Sequence, residues 1–254
     1  MIAITHLPSP NMEQGERTYV DRTPIDYRRA VRQHEDYCRA LCAWGVTVRT
    51  LEVNRSLPDC VFVEDTAIVL DEVAVLASMG AETRGAEPAG IERELRKFRD
   101  IVRVEPPATI EGGDVLRVGR KLLVGVSSRT NRAGVAALES VVGRCGYEVV
   151  PVPVPHCLHL KSACTALPDG SLLVNPAWLD VCALRGFELV PVPESEPWGA
   201  NVALIGDNVF AVAAHARTVG MIRERGFVVR AIDLSEFTKA EGGVTCLGIL
   251  FRAI

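Results

Sequence analysis

The sequence predicts an α/β fold in which about five strand–strand–helix–strand units close into a ring. Three observations predict it: β-branched strands that follow helical segments, glycines at the helix-to-strand junctions, and strand pairs joined by hairpin turns. The post-helix strands begin roughly 40–55 residues apart, the spacing of a supersecondary repeat. In a closed ring, equivalent positions of every unit lie around one central axis.

The strands that follow the helices are rich in Val, Ile and Leu. They are predicted at Val46–Val53, Ile101–Glu105, Tyr147–Val154, Phe187–Pro193 and Phe227–Ile232. Four of them directly follow a glycine, the residue typical of a helix end, at Gly45, Gly146, Gly186 and Gly226.

Helices are predicted from apolar residues at helical spacing and from capping residues. Thr23-Pro-Ile-Asp supplies an N-cap, a proline in the first turn and an acid, so we expect the first helix to begin there. Apolar residues then recur from Tyr27 to Cys42. Further helices are predicted over Ile91–Phe98, from Thr130 to Cys145, at Pro176–Arg185 and at Ala216–Arg225.

The remaining strands form pairs with tight turns. These pairs are Thr66–Leu70 with Val73–Ala77, Val115–Val118 with Leu122–Val126, Thr165–Leu167 with Leu172–Asn175, and Val202–Ile205 with Val209–Val212. The last strand, Thr245–Phe251, lacks a partner unless Ile2–Thr5 supplies one, and that pairing would close the ring.

Composition narrows the function. The 254 residues are 48% hydrophobic and 24% charged, which is typical of a globular chain and excludes a disordered or coiled-coil protein. The net charge of −4 gives no basic surface for nucleic acid, and apolar runs are too short for a membrane span. We therefore expect a small-molecule partner, no nucleic acid and no membrane. Eight cysteines without a CxxC pair suggest a reducing cytoplasm.

Five segments that precede the first strand of each unit would meet at the axis and carry a catalytic inventory. They are Asp59–Asp65, Glu111–Asp114, His159–Ser162, Gly199–Asn201 and Glu241–Cys246. Cys246 follows a Gly-Gly pair and can be a nucleophile, with His159 as its acid or base. A buried structural thiol, or a metal pair formed by Cys157 and His159, remains an alternative.

Carboxylates and arginines complete the set of candidate residues. Buried acids beside apolar strands need partners, and a planar guanidinium would satisfy two of them. The acids that meet this description are Asp59, Glu64, Asp65 and Glu111. Arg84 and Arg129 follow the second strands of two units and could bind a carboxylate at the mouth of the axis, although a solvated arginine is an equal alternative. Asp114 is expected to accept hydrogen bonds from loop amides.

Six motifs together resemble the dimethylarginine dimethylaminohydrolase family of the guanidino-group-modifying (pentein) superfamily. In order along nearly the whole chain, they are Pro58–Asp65, Gly80–Arg84, Ile110–Asp114, Ser128–Asn131, Leu158–Lys161 and Gly242–Cys246. The resemblance implies a single catalytic domain over residues 1–254. Its fold would be a five-bladed ββαβ propeller with pseudo-five-fold symmetry and a central active-site channel.

The resemblance also implies the roles of individual residues. Cys246 would be the nucleophile and His159 the general acid and base. The four acids would surround the guanidinium, while Arg84 and Arg129 would hold the amino-acid carboxylate. Ala240 stands where the family makes a backbone contact to the amino-acid end of the substrate.

The implied activity is hydrolysis of N-ω-methylated arginines to citrulline and a methylamine, through a covalent cysteine thiouronium. No cofactor and no metal are expected, and a homodimer and a role in arginine metabolism are consistent with the family. The resemblance also implies a lid near the N-terminus, with an apolar residue over the substrate. This chain differs from the family there, because Ser9–Arg17 is polar. An arginine deiminase or citrulline ureidase therefore stays open, as does a non-catalytic ribosome-binding factor of the same fold.

Overall fold

The computed structural model describes residues 1–253, whose strands form five three-stranded sheets. The strands are β1 (Ile2–His6), β2 (Thr47–Leu51), β3 (Ala67–Val69), β4 (Ala74–Leu76), β5 (Ile101–Arg103), β6 (Val115–Val118), β7 (Lys121–Val126), β8 (Glu148–Pro153), β9 (Cys164–Ala166), β10 (Leu172–Val174), β11 (Leu189–Pro191), β12 (Ala203–Ile205), β13 (Asn208–Val212), β14 (Val228–Ile232) and β15 (Ile249–Phe251). Their sheet orders are β15-β1-β2, β3-β4-β5, β6-β7-β8, β9-β10-β11 and β12-β13-β14.

Every sheet repeats one pattern of pairing. Its first two strands are antiparallel, and its third strand runs parallel to the middle one. Parallel neighbours need a crossover connection, and a helical segment supplies it in each unit. The predicted repeat of strand, strand, helix and strand is therefore confirmed.

Four of the five predicted helices form, with shifted ends, and two short helices, Leu160–Ala163 and Ser235–Thr238, were not predicted. The helices are α1 (Tyr27–Ala43), α2 (Glu87–Leu95), α3 (Arg132–Val142), α4 (Leu160–Ala163), α5 (Ala216–Glu224) and α6 (Ser235–Thr238). The first helix begins at Tyr27 rather than at Pro24, because the side chain of Asp26 caps it by accepting a hydrogen bond from Arg29 N. The helix predicted at Pro176–Arg185 is wrong: only a short 3₁₀ turn, Val181–Leu184, forms there, capped by Asp180.

Ring closure is confirmed at the two ends of the described chain. β1 pairs antiparallel with β15, with Ile2 opposite Phe251 and Ile4 opposite Ile249. The first strands of the five sheets then surround a central cavity of about 380 Å³, which residues of β3, β6, β9, β12 and β15 line. Among residues 1–253, no helix has both the length and the apolar character needed to cross a bilayer.

The apolar core lies between each helix and its sheet. Leu138 and Val142 of α3 share one buried cluster with Leu122 and Val124 of β7 and with Val75 of β4. Burying such side chains stabilises the fold by about 1.5–3 kcal/mol each. The polar residues of the segments that join the third strand of one sheet to the first strand of the next lie outside this apolar cluster.

Candidate active site

Cys246 lies in the loop that precedes β15, and its thiol is partly exposed. Gly243 N donates a hydrogen bond to Cys246 Sγ at 3.4 Å, and Thr245 Oγ1 lies 3.9 Å from the same sulfur. Restricted access to water, with the charges of Glu64 and Asp65, raises the pKa of Cys246 to about 12. The thiol is therefore protonated at neutral pH, and a cation beside the sulfur would favour the thiolate.

His159 is buried directly before α4. Its Nε2 lies 2.7 Å from Glu111 Oε2, and its Nδ1 lies 3.8 Å from Asp65 Oδ1. Although burial opposes a charge, these two carboxylates raise the pKa of His159 to about 9. The imidazole is therefore charged at neutral pH and can donate a proton.

Asp114 anchors this segment, as predicted from its loop. Leu160 N donates to Asp114 Oδ1 at 2.8 Å, and Ser127 Oγ donates to Asp114 Oδ2 at 2.7 Å. The carboxylate thus ties the start of α4 to the loop after β7, which confirms the expected structural role.

Glycine is required beside the histidine. Gly113 N donates to Asp65 Oδ1 at 3.1 Å, so the backbone passes against the carboxylate. A Cβ at Gly113 would lie 2.6 Å from Asp65 Oδ1 and 2.8 Å from the His159 ring. The close approach that a Gly-Gly pair permits is therefore used at this site.

Arg84 is buried in a network of carboxylates. Its Nη1 donates to Asp65 Oδ2 at 2.7 Å, and its Nη2 donates to Glu87 Oε2 at 2.8 Å and to Phe62 O at 3.0 Å. Against the effect of burial, the carboxylates of Glu87 and Asp65 raise the pKa of Arg84 well above its usual value. Burial would raise the pKa of Asp65, but the charges of His159 and Arg84 lower it overall. Asp65 therefore stays ionised beside the cavity.

Arg129 differs from Arg84 because its guanidinium is less engaged. Its Nη1 lies 3.6 Å from Glu111 Oε1, whose other close donor is Gly80 N at 2.9 Å. Within residues 1–253, this buried Nη1 has no hydrogen-bond partner. An unsatisfied buried donor of this kind is suited to an incoming anion.

Glu64 is paired with Lys161 beside the central cavity. Lys161 Nζ donates to Glu64 Oε1 at 2.6 Å, and burial raises the pKa of Glu64 despite that cation. Both residues line the central cavity on the far side of the Cys246 loop. The backbone still joins the two sites, because Glu64 N donates to Cys246 O at 3.2 Å.

One small cavity of about 20 Å³ brings most candidate residues together. Its lining includes Asp59, Asp65, Arg84, Arg129, His159, Ala240 and Cys246. Glu111 lies behind His159, and Glu64 lies at the wall of the central cavity. The predicted sulfur and imidazole therefore open onto one acid-lined space, although their chain positions are far apart.

Known proteins match the chain over nearly its full length. A family model described as eukaryotic N,N dimethylarginine dimethylhydrolase matches residues 16–162. A Streptomyces coelicolor protein named N(G),N(G)-dimethylarginine dimethylaminohydrolase is 39% identical over 99% of this chain and 97% of its own. The protein of that name from Pseudomonas aeruginosa is 32% identical over 89% of this chain and 90% of its own. The chain belongs to the dimethylarginine dimethylaminohydrolase family.

Solved structures agree with this assignment. A Pseudomonas aeruginosa family member, a cysteine-to-serine variant complexed with citrulline, superposes with a TM-score of 0.93 at 30% identity, covering 98% of both chains. The N-terminal domain of ArgZ, a cyanobacterial arginine dihydrolase, has a TM-score of 0.86 at 20% identity over 98% of this chain and 97% of its own, and this likeness concerns the fold alone. The predicted five-bladed pentein propeller is therefore confirmed.

The polar N-terminal segment, where a family lid was expected, lies over the small cavity. Glu16 lines the cavity, and its backbone N donates to Asp59 Oδ2 at 3.0 Å. Thr18 N donates to Glu241 Oε2 at 3.1 Å, and Tyr19 N donates to the other oxygen of that carboxylate. The segment is thus held by acids that accept backbone hydrogen bonds.

Sequence reasoning missed several residues of this family member's site. Glu87 and Glu241 were not singled out, and Lys161 was not paired with Glu64. Glu87 follows Arg84 by three positions, an ion-pair spacing that could have found it. The others pair with residues about 100 or more positions away in the chain, and local spacing carries no signal for such contacts.

Potential metal ligands are already engaged with one another. Asp65, Glu111 and His159 each place one ligand atom within 4.8 Å of the others. His159 bonds Glu111 directly, and Asp65 holds the Arg84 guanidinium. The thiol of Cys157, considered above as a partner of His159, instead donates to His159 O at 3.2 Å.

Proposed function

We propose that the protein is an amidine hydrolase that converts N-ω-methylated arginines into citrulline and a methylamine. Membership of the dimethylarginine dimethylaminohydrolase family supports this activity, as does the citrulline bound to the Pseudomonas aeruginosa relative. The observation that carries the proposal is the single cavity shared by Cys246, His159 and Asp65. A thiol, a charged imidazole and an ionised carboxylate are the groups that nucleophilic attack on a guanidinium requires.

The substrate guanidinium would lie between Cys246 and Asp65. Asp65 would hold its charge and keep its central carbon electrophilic. Glu111 acts through His159, since their side chains are hydrogen-bonded. Asp59 and Glu64 add negative charge from the mouth of the cavity and from behind the thiol, respectively.

The amino-acid end would lie at the arginines. Arg129 Nη1 is buried and free of a hydrogen-bond partner in the described chain, so it would bind the substrate carboxylate. Arg84 would add to that charge while it stays paired with Asp65 and Glu87. The carbonyl of Ala240, at the wall of the same cavity, would accept from the amino group.

Binding of the cationic guanidinium beside Cys246 would release the thiol proton to solvent. The thiolate then forms a C–S bond to the guanidinium carbon, and the imidazolium of His159 protonates the departing amine as the C–N bond breaks. A cysteine thiouronium remains. Neutral His159 next takes a proton from the water that attacks this carbon, the C–S bond breaks, and citrulline leaves after loss of one proton.

Product analysis tests the proposal. The protein is incubated with arginine, monomethylarginine, asymmetric dimethylarginine and citrulline, and products are identified by mass. We expect citrulline and the corresponding methylamine from the two methylated compounds. Turnover of arginine or citrulline alone would instead assign a deiminase or a ureidase, and turnover of none would overturn the enzyme assignment.

Two variants test the assigned roles. Cys246→Ser should abolish turnover without unfolding the protein, while Cys145→Ser, at another partly exposed cysteine, should keep normal activity. His159→Gly should stop release of the amine, and a related histidine-to-glycine variant of the family has been captured as an adduct with S-methyl-L-thiocitrulline. Normal turnover by either site variant would contradict its role.

We also propose that residues 1–254 act as one catalytic domain, because β1 and β15 close a single ring. The homodimer and the cytoplasmic location stay predictions. Gel filtration at several protein concentrations would test the homodimer.

A further inference from the structure

Asn201 lies in the loop before β12, where it is 7% exposed. Its Nδ2 donates to Lys161 O and to Thr245 Oγ1, each at 3.0 Å. Its Oδ1 accepts from Thr245 N at 3.2 Å. One amide group therefore bonds two separate segments of the chain.

Those two segments carry the two proposed catalytic side chains. Lys161 follows His159 by two positions in α4, and Thr245 directly precedes Cys246. α4 leads into β9 and the Cys246 loop leads into β15, so they belong to different sheets, and Asn201 comes from a third. Asn201 therefore links, through hydrogen bonds, the segment that carries the imidazole and the segment that carries the thiol.

The Gly-Gly pair before Cys246 lets the backbone lie against this amide. A Cβ at Gly243 would collide with Asn201 Oδ1, so the loop can approach the amide only with glycine at that position. Gly243 N is also the donor to Cys246 Sγ. The amide thus fixes both sides of the thiol loop, through Thr245 by hydrogen bonds and through Gly243 by contact.

We propose that Asn201 is a positioning residue that sets the Cys246 sulfur relative to the His159 imidazole. This inference rests on the proposed function, since it assumes that the two side chains act on one carbon. A neutral amide suits the task because it supplies two donors and an acceptor without adding charge to an acidic site. Misplacing reacting groups by about 1 Å can lower the rate by about a hundredfold.

Asn201→Leu tests the proposal because it keeps the number and branching of the side-chain heavy atoms and removes the hydrogen bonds. We expect kcat for the methylated substrate to fall about ten- to a hundredfold, with KM changed less than about twofold, because substrate contacts are kept. Thr245→Val, which removes one of the bonds from the other side, should lower kcat in the same direction. It also tests the proposal if Asn201→Leu fails to fold.

Asn175→Leu is a matched control. Asn175 is equally buried, donates to Pro197 O at 3.0 Å and accepts from Ala177 N at 3.1 Å. Its side chain anchors the same loop as Asn201 but bonds neither catalytic segment, and its backbone bond to Ala163 O is kept in the variant, so kcat should stay within about twofold of wild type. Equal losses in Asn175→Leu and Asn201→Leu would show a general loosening of the loop and overturn the proposal.

A readout independent of turnover separates this proposal from the proposed function. Iodoacetamide labelling of Cys246, followed by mass at fixed pH, should slow in Asn201→Leu, because the hydrogen bond from Gly243 N that lowers the thiol pKa is loosened. If wild type converts none of the four compounds but labelling slows as expected, the function fails and the positioning stands. Unchanged labelling together with unchanged kcat would overturn the positioning role.

Discussion

Two loops of the molecule share the letters Glu-Gly-Gly, and the structure uses them differently. In the first, Glu111 has an extended backbone (φ −122°) and its buried carboxylate bonds the His159 ring. In the second, Glu241 has a left-handed backbone (φ 60°) and its carboxylate accepts from the backbone of the N-terminal segment. The glycines of both loops allow close approach, at Gly113 to Asp65 and at Gly243 to Asn201.

The difference teaches that the Glu-Gly-Gly motif allows close approach of the backbone in both loops, whereas the fold decides which group each glutamate carboxylate binds. In the ring, the first Glu meets an imidazole from the next sheet, and its charge tunes a proposed acid. In the described part of the chain, the carboxylate of the second accepts hydrogen bonds from the backbone amides of Thr18 and Tyr19, so its charge holds the N-terminal segment over the cavity. Five predictions test this contrast.

The largest effect is expected from Gly113→Ala. The added Cβ would lie 2.6 Å from Asp65 Oδ1 and 2.8 Å from the His159 ring, both of which are buried, so the site must shift. We expect kcat/KM to fall about a hundredfold or more and the free energy of unfolding to fall by about 1–3 kcal/mol. Steady-state kinetics and urea unfolding measure both.

The control for that change is Gly220→Ala in α5. A Cβ at Gly220 has no neighbour within 4 Å among residues 1–253, so the variant should keep full activity and gain about 0.5–1 kcal/mol of helix stability. If Gly113→Ala were as active as Gly220→Ala, the close approach would play no part in catalysis.

Glu111→Gln should lower kcat about tenfold and move its pH dependence. The charge of Glu111 helps to hold the pKa of His159 at about 9, so its loss lowers that pKa. Because the proton donor must be charged, activity should then decline at lower pH than in wild type. An NMR titration of the His159 ring checks the shift directly, and an unchanged pKa would contradict the assigned coupling.

The same shift links pH to stability. The pKa of His159 is raised in the folded protein from 6.5 to about 9, so its charge stabilises the fold fully below pH 6.5. That contribution is lost as the pH rises through about 9. Glu111→Gln should therefore reduce stability at pH 6 more than at pH 10, as urea unfolding at the two pH values would show.

Glu241→Gln should act on binding rather than on chemistry. Losing the carboxylate charge weakens its bonds to Thr18 N and Tyr19 N, which we expect to raise KM about three- to tenfold with kcat nearly unchanged. Limited proteolysis should cut the N-terminal segment faster. Glu139→Gln, at an exposed acid in α3, is the control and should change neither.

The smallest effect is expected when glycine and alanine variants are compared in stability at Glu241 and at Glu111. Glu241→Gly should be more stable than Glu241→Ala by about 1 kcal/mol, because only glycine occupies the left-handed region without cost. At the extended Glu111, the order should reverse, with the alanine variant more stable by about 0.5–1 kcal/mol. Thermal unfolding of the four variants checks the signs, and the same order at both positions would remove the backbone contrast.

Much of the architecture could be predicted locally. Glycines 45, 146, 186 and 226 marked helix ends and do have positive φ angles. The helix predicted at Pro176–Arg185 does not form, because Asp180 caps only a short 3₁₀ turn. Neither the composition nor the spacing of apolar residues reveals how short this turn is. Cys246 and His159 were singled out because both occupy equivalent positions of a repeat, and Cys246 also because a Gly-Gly pair precedes it in the chain.

The amino-acid sequence by itself determined the repeat, the ring and the identity of the acids, the imidazole and the thiol that meet at the axis. Only the tertiary structure decided their pairing: Glu64 with Lys161, Arg84 with Asp65, and Asn201 with Thr245. The physical reason is that periodicity and capping depend on neighbours within a few residues. Charge pairing and pKa depend instead on distances of a few ångströms between residues that are distant in the chain.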